Sequence, residues 1–298
     1  MSLSGTIPAL LFTVVAAAAI FTVMLDVGLG IEIGEFRWVR QHPALLARAL
    51  FAVLIAVPAL ALLVGQAFDV PRDAEIGIVL MAISPGAPVA LRRSLGAGGH
   101  RSFAPALQIL VALVAVASMP LWIAALNEVY AGSASISPGR LARQVLVAQL
   151  MPLALGIVIR RTAPLVTARF EPLIYRLGTL LLILLLVLAL IDVAPVVVES
   201  GPRVALAVVC ITALAIAVGH LLGGPEPATR TAVAISSAAR NAGLALLVAT
   251  LNPAPPAVGR TVLVYVVISA FTLIPYVIWR RRAGHVAGGG HEQNATAE

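Results

Sequence analysis

Residues 77–89 read GIVLMAISPGAPV, an apolar run with two prolines and a glycine at its middle. Proline removes a backbone donor and clashes with the preceding helical turn, and glycine frees the backbone further. Unpaired backbone groups at membrane depth are tolerated only inside protein or beside water. The run therefore predicts a membrane helix that breaks beside a cavity, with a kinked helix in a packed bundle as the alternative. The candidate site residues at this break are Ser84, Pro85, Gly86, Ala87 and Pro88.

A second apolar run, residues 234–244, reads AISSAARNAGL and carries polar residues at its middle. A charged side chain at the centre of a membrane helix costs about 2.5–3.5 kcal/mol on insertion scales. The arginine in this run is therefore predicted to face a cavity or a partner. The candidate site residues here are Ser236, Ser237, Arg240 and Asn241.

Three further polar residues, Asp26, Gln108 and Asp192, lie inside apolar runs. Asp26 or Asp192 could form an ion pair with Arg240, take up a proton, or hold a structural position. Gln108 closely follows the first interrupted run and is a candidate for the same site, with an interhelical hydrogen bond as the alternative.

The two interrupted runs occupy corresponding places, since each is the penultimate apolar span of one half of the chain. Paired interrupted helices in corresponding halves are typical of secondary transporters, whose binding site lies at the interface of two repeats. The sequence therefore predicts a transport site formed by both breaks.

Composition excludes several classes of protein. Hydrophobic residues make up 60% of the 298 residues, charged residues 11%, and the mean hydropathy is +1.02. A soluble domain carries about 25% charged residues, so a water-soluble enzyme is excluded. The single cysteine excludes a disulfide framework and a cysteine-based metal site. The net charge of +7 comes from arginines that lie between apolar runs, which argues against a nucleic-acid surface. No motif of an intramembrane enzyme is present, and no cofactor is expected.

The chain is predicted to be an all-α polytopic membrane protein with about nine transmembrane helices. A membrane-spanning helix needs about 20 mostly apolar residues. Residues 1–282 are predicted to form one transmembrane unit, and residues 283–298 a flexible cytoplasmic tail. The predicted spans lie near 7–31, 43–66, 74–94, 102–126, 142–162, 174–198, 203–223, 228–251 and 257–279.

Arginines concentrate in alternate connections between these spans. The arginine-rich set includes Arg37, Arg92, Arg160 and Arg230, together with the run at residues 280–282. Cytoplasmic loops carry the excess of positive charge, so the N-terminus is predicted outside and the C-terminus inside. We expect an integral protein of a bacterial inner membrane.

Several of these segments resemble the bile acid:sodium symporter family. The resemblance rests on Ser84-Pro85-Gly86 followed by residues 95–99, on residues 240–245, on residues 24–30 and on Val57-Pro58. It extends over residues 7–282 and implies the nine-span form of that fold. In the family, two inverted repeats form a core domain, which holds two crossing broken helices, and a panel domain. The resemblance implies transport of an organic anion by alternating access, usually together with sodium.

The positions that match the family's sodium sites carry other residues here. The resemblance implies Ser-Asn after the first break, where this chain has Ala90 and Leu91, and hydroxyls in the next helix, where it has Ala104 and Gln108. In the second broken helix, Ser236 replaces a glutamate and Arg240 replaces a glutamine. We therefore predict weakened or absent sodium sites, with Arg240 as a fixed positive charge for a small or amphipathic anion. Na⁺ or H⁺ remains a possible coupling ion, the latter through Asp26 or Asp192.

Two other functions are compatible with the sequence. The first is a sensor or receptor that has lost transport, which substituted ion sites would allow. The second is an arsenite-permease-like ion exporter. Such exporters depend on a cysteine in the first broken helix, where this chain has Ser84.

Overall fold

A computed structural model describes residues 9–30, 33–129, 137–252 and 254–295, and these ranges contain helices and no strand. The first half contains α1 (Ala9–Leu29), α2 (Ile33–Gln41), α3 (Pro43–Phe51), α4 (Val57–Ala67), α5 (Arg72–Ala82), α6 (Pro88–Gly96) and α7 (Phe103–Val129). The second half contains α8 (Pro138–Val145), α9 (Met151–Thr162), α10 (Pro164–Leu222), α11 (Pro227–Ala238), α12 (Ala242–Leu251) and α13 (Pro256–Ala295). The run named α10 comprises two helices, because Gly201 has non-helical torsion angles of φ 76° and ψ 164°.

Six helical stretches in the described part of the chain are long and apolar enough to cross a membrane. The predicted spans 7–31 and 74–94 are not among them. The predicted span 174–198 overlaps residues 189–200, whose side chains the structure does not describe. The count of nine spans and the two inverted repeats therefore stay predictions. The six stretches are Pro43–Ala67, Phe103–Glu128, Pro138–Thr162, Gly201–Leu222, Pro227–Leu251 and Pro256–Ala283.

The last helix is longer than the predicted span 257–279. It runs from Pro256 through Ala295, into the segment predicted as a flexible tail. The helix continues through Gly284 and residues 288–290, which are glycines, although glycine is a weak helix former.

Helix α1 packs against α9, α10 and α12. The largest buried cluster contains residues of α1, α5, α12 and α13, including the fully buried Tyr265. The contact between α1 and α9 is close because two glycines face each other. A Cβ built on Gly156 would lie 2.9 Å from the Cα of Gly28 and closer still to the carbonyl oxygen of Leu25.

Substitution Gly156→Ala is expected to destabilise the protein by about 1–3 kcal/mol, because the added methyl group forces α1 and α9 apart. The measurement is the apparent Tm of the purified protein in detergent. Gly139→Ala is the matched control, since a Cβ at Gly139 has no atom within 4 Å. Equal Tm values for the two variants would contradict the close approach of the helices.

Candidate functional site

The first break separates α5 from α6. Helix α5 ends at Ala82, and α6 begins at Pro88, where a missing N–H costs nothing because the first helical N–H groups have no partner. Between them, Gly86 has φ +78°, a conformation that glycine adopts without steric cost. The chain is therefore interrupted inside the predicted third span, and the carbonyls of the broken turn need partners from elsewhere.

Three carbonyls at this break accept hydrogen bonds from other parts of the protein. Arg240 Nη1 donates to Ala82 O at 3.0 Å, and the backbone N–H of Asn241 donates to Ser84 O at 2.9 Å. Gln108 Nε2 donates to Gly86 O at 2.8 Å. The first break is thus held by the second break and by the neighbouring helix α7.

The second break lies between α11 and α12. Helix α11 ends at Ala238, and Ala239 is extended with φ −82° and ψ 112°. Asn241 then caps α12, because its Oδ1 accepts a hydrogen bond of 3.0 Å from Leu244 N. This is the usual capping chemistry of asparagine, and it fixes where the second half-helix begins.

Arg240 lies within the second break, and its side chain reaches the first break. The residue is 6% exposed. Its Nη1 donates to Val53 O at 2.9 Å as well as to Ala82 O. Among the described residues, its Nε and Nη2 are buried without a hydrogen-bond partner. One nitrogen of the guanidinium therefore joins the broken helix to the second span, and two nitrogens keep donor capacity.

The carbonyl of Val53 is available because the helix widens between α3 and α4. Residues Ala52–Ala56 form a π-helical turn, in which the N–H of Val57 donates to Ala52 O. In a regular α-helix that N–H would donate to Val53 O. The widened turn therefore leaves one carbonyl for the guanidinium of Arg240.

The sequence alternative of an ion pair between Arg240 and Asp26 is wrong. Asp26 Oδ2 instead accepts a hydrogen bond of 2.7 Å from Arg92 Nη2. Arg92 also donates to Thr179 Oγ1, and its guanidinium lies 3.7 Å from the centre of the Tyr175 ring. These contacts join α6 to α1 and α10. The side chain of Asp192, the other predicted partner, lies outside the part of the chain that the structure describes.

A cavity of about 340 Å³ lies between the second break, α6, α13 and the helices α1 and α10. Its walls are mostly apolar, with Ile20 and Leu263 among them. Arg92, Arg93 and Arg240 also line it, and its described lining includes no aspartate or glutamate. The cavity therefore combines apolar walls with three arginines, of which Arg92 is paired with Asp26.

The predicted site residues divide into two sets. Ala87, Arg240 and Asn241 line the cavity. The other predicted residues are not part of its described lining. Of these, Ser84, Gly86 and Gln108 form hydrogen bonds that hold the first break. Ser236, Ser237 and Pro85 are buried, and the side chain of Pro88 is not described.

Among the cavity residues that sequence analysis missed are Arg92, Arg93, Tyr175 and Thr179. It treated Arg92 and Arg93 as signals of membrane orientation, and did not consider Tyr175 or Thr179. The spacing of Tyr175 and Thr179 was a usable signal, since residues four apart share one face of a helix. That Arg92 meets this face depends on packing between distant segments.

The positions that match sodium sites offer few oxygen ligands. Ala90, Leu91 and Ala104 carry no side-chain oxygen, and Ala90 and Ala104 are buried. In the described part of the chain, no group of three His, Cys, Asp or Glu residues could hold a metal ion.

The chain matches the model of a known protein family. The family model described as Sodium Bile acid symporter family matches residues 17–200, more than half of the chain. The matched segment contains the first break. It also contains Arg92 and its partners Asp26 and Thr179, which join α6 to α1 and α10. It ends before the second break, so the position of Arg240 rests on the geometry described above. No curated protein matches the chain.

Substitution Gln108→Leu is expected to destabilise the protein by about 1–3 kcal/mol, because it leaves the buried carbonyl of Gly86 unpaired. The apparent Tm in detergent measures the effect. Gln66→Leu changes an exposed glutamine on α4 and serves as the control. If Gln108→Leu has the Tm of the wild type, the hydrogen bond does not hold the break.

Substitution Asp26→Asn is expected to loosen α6, because Arg92 loses its charged partner on α1. Hydrogen–deuterium exchange of residues 88–96 should increase relative to the wild type. Asp69→Asn is the control, since the ion pair between Asp69 and Arg203 is exposed and such pairs contribute little. Unchanged exchange in Asp26→Asn would show that Arg92 does not clasp α6 to α1.

Proposed function

Because the chain belongs to the sodium bile acid symporter family, a family of membrane transporters, we propose that it is a secondary transporter of a small or amphipathic organic anion. The proposal includes alternating access, in which a core domain that holds the broken helices moves against a panel domain. It also includes an N-terminus outside, a cytoplasmic C-terminus and a bacterial inner membrane, as the distribution of arginines predicts.

The observation that carries the proposal is the state of Arg240. A charge buried without a full set of partners is costly, and an anion beside it offsets that cost. Arg240 has two buried nitrogens without a described partner, and it lines a cavity whose described lining has no acidic side chain. An anionic group bound there would complete the hydrogen bonding of the guanidinium.

The walls of the cavity support an amphipathic substrate. Small-molecule sites are concave, mostly apolar and about 300–1,000 Å³ in volume, with a few polar groups that fix orientation. The cavity here is about 340 Å³ and has apolar walls around its arginines. Its dimensions suit a ligand with one anionic group and a compact apolar body.

We also propose that the usual sodium sites are weakened or absent. The carbonyls of the first break that could coordinate a cation already accept hydrogen bonds from Arg240, Asn241 and Gln108. A unit positive charge about 4 Å from a cation opposes its binding by about 4 kcal/mol at an effective dielectric constant near 20. Arg240 would thus supply permanently the positive charge that sodium supplies transiently.

Alternating access requires a contact that closes one side of the cavity. Arg92 is suited to this role, because it joins α6 to Asp26 of α1 and to Thr179 and Tyr175 of α10. Separation of these helices would break all three contacts together. Asp26, which is held by Arg92, is also the residue through which a proton could be coupled.

The proposal is tested by uptake of labelled carboxylates and bile acids into proteoliposomes under sodium, potassium or proton gradients. We expect uptake that is equal with sodium and potassium. Arg240→Ala should lower uptake by roughly tenfold to a hundredfold, since it removes charge-assisted hydrogen bonds to the anion. Arg203→Ala, on an exposed arginine, is the control.

Each alternative gives a different result in that experiment. Uptake that requires a sodium gradient would contradict the weakened sodium sites. Full uptake in Arg240→Ala would contradict its role as the anion anchor. Binding of an anion without flux under any gradient would favour a sensor over a transporter.

A further inference from the structure

A second groove runs along the outer face of α13 and adjoins the first cavity at Arg93 and Ala270. It has a volume of about 390 Å³ and is lined by apolar residues at successive turns of that helix. Phe271, Ile274 and Ile278 are 67%, 45% and 44% exposed, so this face is not covered by other helices in the described structure. The segment Pro256–Ala283 is apolar and long enough to cross a membrane. The groove therefore faces the surroundings of the helical bundle.

Two arginines close the groove at one end. Arg281 lies on α13, and its Nε donates to Gly96 O at 2.8 Å. Arg93 lies three residues before Gly96 on α6, one helical turn away and on the same face. Both line the groove. Among the described residues, Arg93 makes no hydrogen bond or ion pair. Two positive charges thus meet at one end of an apolar channel.

The dimensions of the groove match one leaflet of a bilayer. Its lining extends from Val267 to Arg281, which is about 21 Å at 1.5 Å per residue. One leaflet together with its headgroup region spans half of a bilayer that is about 40–45 Å thick. The arginine end lies on the side predicted to be cytoplasmic, where anionic lipids attract basic residues.

We propose that this groove binds one anionic phospholipid. The phosphate lies between the guanidinium groups of Arg93 and Arg281, and an acyl chain lies along Phe271, Ile274 and Ile278. The charge of the two arginines favours an anionic headgroup, and the exposed apolar channel favours an acyl chain. The site is distinct from the substrate cavity, although Arg93 and Ala270 line both.

The test is native mass spectrometry of the purified full-length protein in a neutral detergent. Phosphatidylglycerol, phosphatidylcholine and inorganic phosphate are added in separate arms. We expect one retained phosphatidylglycerol per chain, weaker retention of phosphatidylcholine, and no displacement by inorganic phosphate. Arg93→Gln should weaken phosphatidylglycerol binding by about tenfold, because a charge-assisted contact to phosphate is lost.

Three further variants make the result specific. Arg93→Lys keeps the charge and should restore most of the binding. Ile274→Trp fills the apolar channel and should weaken binding without any change of charge. Arg282→Gln is the matched control on the neighbouring residue, which does not line the groove, and should bind as the wild type does.

The proposal fails if phosphatidylglycerol and phosphatidylcholine are retained equally, or if Arg93→Gln and Arg282→Gln behave alike. Full displacement by inorganic phosphate would show an anion site without a lipid. A stable dimer that excludes lipid would show that a second copy of the chain covers the groove. A matched apparent Tm for each variant establishes that a loss of binding is not a loss of folding.

Discussion

The hydrogen bonds of one guanidinium nitrogen hold the centre of this protein together. Arg240 Nη1 joins the end of α5 to the π-helical turn of the second span, through Ala82 O and Val53 O. Each of those carbonyls lacks an ordinary helical partner, one because a helix ends and the other because a turn widens. A buried arginine satisfies both carbonyls with one nitrogen, and its Nε and Nη2 are left without a partner among the described residues.

Other carbonyls without a helical partner near the breaks also accept hydrogen bonds from distant residues. In a regular α-helix, the N–H of residue 58 would donate to Leu54 O, but Pro58 has no N–H. The carbonyl of Leu54 instead accepts a hydrogen bond of 2.8 Å from Trp122 Nε1. Gln108 Nε2 donates to Gly86 O, and the backbone N–H of Asn241 donates to Ser84 O. Interrupted backbone at membrane depth is thus paired by side chains and by the opposite break. This pairing allows the two broken helices to form part of the wall of the cavity.

Local chemistry made the breaks predictable from the sequence. Two prolines with a glycine predict the first break, and polar residues at the middle of an apolar run indicate the second. The all-helical class followed from composition alone. The partners of Arg240 and Arg92 were not predictable, because they depend on packing between segments that lie 66 to 187 residues apart. Arg92 was also ambiguous, because an arginine near a helix end serves equally well as an orientation signal.

The most direct test of the central claim is the Tm of the purified protein in sodium and in potassium chloride at equal ionic strength. A ligand at 100 times its Kd stabilises a protein by about 2.7 kcal/mol, which a thermal shift readily detects. If Arg240 takes the place of the bound cation, the wild type will unfold at the same temperature in both salts. A rise in Tm that is specific to sodium would contradict the account.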